Sequence, residues 1–74
     1  MRVTFNHFIN IDEAKLIAKV EVDVLPVGGS IVYLQDGNDV RRWRVLDHNW
    51  VISRVKGQSV HEASVIVNLL PIDG

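Results

Sequence analysis

Cysteine is absent from this 74-residue chain, so neither a disulfide nor a thiolate metal site is available to supplement the core. No apolar run approaches the roughly 18 residues of a membrane-spanning helix. The N-terminus lacks a basic segment followed by an apolar run, which is the mark of a secretory leader. A chain acting in the cytoplasm, without a membrane partner, is the expectation. An excess of one charge is also missing: eight Lys and Arg stand against nine Asp and Glu, for a net charge of −1. Whole-molecule attraction to nucleic acid or anionic lipid is therefore absent. Internal repeats, linkers and low-complexity segments are lacking as well.

Hydrophobic residues, by contrast, make up 47% of the chain. Seventy-four residues form one domain, 1–74, and a domain of this size buries only about 60–65% of the surface its unfolded chain exposes. Such an apolar fraction on so much surface points to area shared with a partner. The basic charge is also unevenly placed. Residues 40–56 hold Arg41, Arg42, Arg44, Arg54 and Lys56 against Asp47 alone, whereas the residues before them are predominantly acidic.

The clearest pattern is Leu16 to Val24, where Leu16, Ala18, Val20, Val22 and Val24 alternate with Lys19, Glu21 and Asp23. A period of two with β-branched residues on one side is the signature of a half-buried strand. It places Ile17 and Leu25 on the polar side. A helix from Asp12 to Lys19 competes for the same residues, but the downstream alternation favours the strand. Met1 to Ile9 reads as a first strand with Val3, Phe5 and His7 on one face, closed by turn residues Asn10 to Glu13. Pro26-Val27-Gly28-Gly29 ends the second strand, and Ser30 to Gln35 is the third. Asp36-Gly37-Asn38-Asp39 is a hairpin signal suited to the primed turns. Val40 to Val55 is too long for a flat strand, and Asp47-His48-Asn49 marks a bend or bulge within it. Lys56-Gly57-Gln58-Ser59 turns the chain, and His61 to Leu70 is the last strand, with Val65, Val67 and Leu69 on one face. Five or six short strands, mostly antiparallel, predict an all-β fold. A small SH3-like barrel best hides the strand edges.

Chemistry-bearing residues are sparse. His7, His48 and His61 are too widely spaced to preorganise metal ligands. The neighbours Asp47 and His48, and His61 and Glu62, point to opposite faces of a strand. Ser30, Ser53, Ser59 and Ser64 lack a nucleophile-elbow context, and no Gly-Lys-Ser/Thr follows Gly28-Gly29. A barrel of this size leaves little volume for a pocket. No catalytic, cofactor or metal site is expected. Arg42, Arg44, Trp50, Arg54 and Lys56 form the candidate interaction surface: guanidinium groups pair with phosphates and an indole stacks on a base. That function requires the basic residues to share a face with an exposed tryptophan. The competing reading makes Trp43 and Val45 core, with Arg42 and Arg44 as a solvated face pairing with Glu21 or Asp23. Ile17, Leu25, Ile66 and Leu70 are candidates for self-association, since one barrel interior cannot bury both faces of their strands.

The segments Val20 to Gly28, Trp43-Arg44-Val45, Trp50 and Val65 to Leu69 together resemble the layout of small proteins of tailed bacteriophages and prophages. In these an N-terminal hairpin is followed by a Pro-x-Gly turn, a short strand, a polar turn, an aromatic-bearing strand and a valine-rich strand. The resemblance implies an SH3-like fold and a viral source, and assigns no functional residue. The function expected from the sequence is a non-enzymatic module that binds protein, either itself as a homodimer or a host factor. A nucleic-acid-binding module using the Arg41 to Lys56 hairpin is the alternative.

Overall fold

A computed structural model describes residues 1–57 and 61–72. It is all-β, as the alternation predicts, with five strands: β1 (Arg2–Asn10), β2 (Glu13–Glu21), β3 (Ile31–Asp36), β4 (Asp39–Arg54) and β5 (His61–Pro71). They form one sheet in the order β2-β1-β5-β4-β3. Three of the four pairings are antiparallel, and β1 runs parallel to β5. The sheet curls into a half-barrel. Its two outer strands, β2 and β3, do not meet, so the barrel is open along one side.

The concave face holds the core. Val3, Phe5, Trp43, Val45, Val65, Val67 and Leu69 are buried there, on the alternate positions expected for β1 and β5. The segment between β2 and β3 crosses this face. Its Val22 and Leu25 pack on the core cluster, the Val22 amide donates to the Met1 carbonyl at 2.8 Å, and the Gly29 amide to the Val45 carbonyl at 2.8 Å. A core one sheet thick thus gains a second layer from a loop. The crossing ends in a turn from Val27 to Ser30, closed by the Ser30 amide on the Val27 carbonyl. Gly29 takes φ +86° at its third position, as a type II turn requires.

Local chemistry accounts for the other turns. Asn10 Oδ1 accepts from the Asp12 amide at 2.8 Å, closing the β1–β2 hairpin. Gly37 stands at φ +61° as the first of two residues between β3 and β4, the place where a II′ hairpin turn needs a positive φ. Gly57 follows β4 at φ +78°; the turn residues Gln58 and Ser59 lie outside the described residues.

Two features correct the sequence-based picture. First, Asp12 lies in the turn and residues 13–19 are extended, yet the alternation of Leu16 to Val24 does not run through. Phe5 pairs with Ala18 and Asn6 with Leu16, so Ile17 is an extra residue, a β-bulge. The bulge turns Ile17 onto the core side and leaves Leu16 61% exposed. Regular pairing has also ended by Val22 and Val24. Second, the irregularity in β4 falls at Leu46, between the pairs Val45–Leu69 and Asp47–Asn68. This is one residue before the expected bend.

Candidate functional site

The bulge at Leu46 governs the basic hairpin. Before it, the odd-numbered Trp43 and Val45 face the core while Arg42 and Arg44 face the convex side. Beyond it the phase shifts by one, so His48, Trp50, Ile52 and Arg54 lie on the concave side with Val67, Val65, Ala63 and His61 opposite them. The candidate surface is thereby split. Arg42 and Arg44 share neither a face nor an end of the strand with Trp50 and Arg54, and Lys56 follows in the turn. Arg44 Nη1 donates to the Gly29 carbonyl at 2.9 Å. Glu21, an expected cross-strand partner of these arginines, lies three strands away at the sheet's far edge; it pairs with the N-terminal ammonium at 3.2 Å and Arg2 at 3.8 Å. Trp43 and Val45 are core residues, as the competing reading had it.

A feature that residue-type reasoning passed over is the outer edge of β4. β4 has 16 residues and its outer neighbour β3 only six. Pairing with β3 covers Asp39 to Arg44, and Val45 closes it by exchanging bonds with Gly29 and Ser30. From Leu46 onward no described strand runs along that side. The stretch also projects: Val65 is level with Val3 near the start of β1, so Ile52 to Arg54 and His61 to Ala63 extend beyond it. The molecule is accordingly elongated, at 48 × 27 × 20 Å. Trp50 is 53% and Ile52 61% exposed on this arm. The mismatch in length between the third and fourth strands was the available signal, because a long strand beside a short one must leave an edge bare.

The open side of the barrel forms a second locale. A cleft of about 570 Å³ lies between β2 and β3, with Lys15, Ile17, Leu34 and Arg41 along its sides and His7 and Trp43 at its base. The sequence-based expectation of little pocket volume assumed closure, and the unclosed edge corrects it. The His7 and Trp43 rings meet edge to face, with centroids 5.1 Å apart. The Trp43 Nε1 is buried without a hydrogen-bond partner among the described residues. His48, level with Phe5 within the sheet, and His61, on the arm, are both exposed. Asp47 does not orient His48; its Oδ1 accepts from Asn68 Nδ2 at 2.7 Å on the other face. Among the described residues no three His, Cys, Asp or Glu side chains converge on a metal site, and no helix is long and apolar enough to cross a membrane.

The four self-association candidates divide. Ile17 and Leu25 pack against the core from the concave side. Ile66 and Leu70, level with Asn49 and Arg44, lie half-buried on the convex face. They do not make one contiguous patch, because the bulge and the crossing loop take the first two inward. No family model, curated protein or solved structure matches this chain.

Proposed function

We propose that the chain is a non-enzymatic, phage-encoded interaction module that binds protein, either a further copy of itself or a host factor, in the host cytoplasm. The observation that supports this reading best is the projecting arm of β4. There an edge that no described strand pairs with coincides with two large exposed hydrophobic side chains, Trp50 and Ile52. A bare edge supplies main-chain bonds to an added strand, and flanking apolar side chains supply its affinity and specificity. The nucleic-acid reading needs Arg42, Arg44, Arg54 and Lys56 on one face with an exposed tryptophan. The shift at Leu46 separates the first pair from Trp50 and Arg54. Only Trp50 and Arg54 keep a common face, with Lys56 following in the turn, a small cationic footprint on an acidic chain.

Affinity capture with tagged wild-type and Ile52→Lys chains, each with and without nuclease, tests the assignment. Protein bound by the wild type regardless of nuclease and lost from the variant is the expected result. Capture abolished by nuclease, together with firm heparin retention that Arg54→Ser removes and Ile52→Lys does not, would transfer the assignment to nucleic acid.

A further inference from the structure

We infer that the β4 arm pairs edge to edge with the same arm of a second copy, antiparallel, about a two-fold axis at Val51. The inference rests on the interaction-module reading and names the partner. Its basis is the direction of the backbone groups. Val45 turns its N–H and C=O outward, to Ser30 and Gly29, whereas the Arg42 carbonyl accepts from the Ile72 amide on the β5 side. Odd positions therefore face outward before the bulge. The extra residue at Leu46 reverses the phase, since backbone groups alternate between the two edges of a strand. Beyond it the outward residues are His48, Trp50, Ile52 and Arg54, and the midpoint of that set is Val51.

An axis through Val51, normal to the sheet, pairs Trp50 of one copy with Ile52 of the other and His48 with Arg54. About eight backbone hydrogen bonds result, two for each of the four hydrogen-bonded pairs. The same operation keeps the concave faces together. It sets each exposed Trp50 against an exposed Ile52, Asn49 against Ser53 on the convex side, and Val51 against itself. No like charges meet: Arg54 lies across from an imidazole, and Asp47 across from Val55. The pairing also stops where it must, because Gly29 and Ser30 already occupy Val45. The other two edges are less suited. Pairing of β1 with β2 is interrupted twice by irregularities, and β2 carries Lys15 and Lys19; β3 has only six residues and ends in Gln35-Asp36. Short, bulged and charged edges resist strand addition, whereas Asp47 to Arg54 is regular and apolar at its centre.

The native chain has no cysteine, so single cysteines report the register directly. Val51 faces its own symmetry mate in a non-hydrogen-bonded pair, with a Cα separation of about 4.5 Å, inside the disulfide range of roughly 4.4–6.8 Å. Asn49 and Ser53 face each other rather than themselves, which puts like positions about 13 Å apart at the strand rise. Under mild oxidation Val51→Cys is expected to convert mostly to covalent dimer. Asn49→Cys and Ser53→Cys alone stay monomeric, and an equimolar mixture of these two cross-links. Light scattering of the wild type is expected to show a mass rising from 8.4 kDa towards twice that value with concentration. Ile52→Pro, which deletes an outward donor rather than a β4–β5 ladder bond, is expected to hold the mass at the monomer while keeping a cooperative melt. A monomeric wild type throughout the micromolar range, or cross-linking of Asn49→Cys as fast as Val51→Cys, overturns the pairing. A foreign protein captured by a monomeric wild type and lost from Ile52→Lys also overturns it, while leaving the interaction-module reading intact.

Discussion

Replacing Trp43 with alanine removes the largest side chain of a core formed by seven buried residues. The side chain is 6% exposed, meets the His7 ring edge to face and lines the cleft on the open side of the barrel. An aromatic side chain buries about 150–250 Å², and at roughly 25 cal/mol per Å² its loss costs about 4–6 kcal/mol. One contribution has the opposite sign. The indole Nε1–H is buried without a partner among the described residues, and an unsatisfied donor costs about 1–3 kcal/mol, a penalty the substitution relieves. The net expected loss is about 3 kcal/mol, at the low end of the usual range for a truncated buried aromatic. At roughly 0.05–0.15 kcal/mol per residue a chain of this length has about 4–11 kcal/mol in all, so the variant keeps about 1–8 kcal/mol. For a domain this small, about 4–8 °C is lost per kcal/mol, which lowers the melting temperature by roughly 12–24 °C. Trp43→Phe keeps a ring in the core and deletes the orphan donor, so it is expected to lose less than half as much. Urea and thermal melts followed by circular dichroism measure both. An alanine variant within about 1 kcal/mol of wild type, or a phenylalanine variant as damaged as the alanine one, refutes the reasoning.

Gly37→Val is expected to cost about 1–2 kcal/mol, because a residue with a Cβ resists the positive φ held there. Gly28→Val, where the φ is not positive and a Cβ stands 3.8 Å from the Leu46 carbonyl, is expected to cost less; equal losses in denaturant melts would displace the turn. Ile17→Asp is expected to destabilise more than Leu16→Asp, reversing the order that plain alternation implies, since the bulge sends Ile17 to the core. The same melts check it, and the opposite order would remove the bulge.

Local physics made several elements legible in the sequence. Val3 and Phe5 in β1, and Val65, Val67 and Leu69 in β5, are buried on the alternate positions their spacing implies, because side chains leave a pleat on opposite sides whatever the strand pairs with. Trp43 and Val45 follow the same logic. The Asp-Gly turn is also a local property, the preference of one backbone position for a positive φ. By contrast, a bulge belongs to a pair of strands. The extra residues at Ile17 and Leu46 exist only relative to Phe5–Asn6 and Leu69–Asn68, so no periodicity within one strand places them. Yet they turn Ile17 inward and part Trp50 from Arg42 and Arg44. The parallel contact of β1 with β5 and the gap between β2 and β3 likewise depend on strands distant in sequence. All-β class, the buried faces of β1, β5 and the first half of β4, and the Asp-Gly turn were thus determined by the sequence alone. Which edge stays bare, and which side chains stand beside it, was decided by tertiary pairing, because a hydrogen-bonding edge is free only when no neighbouring strand is long enough to cover it.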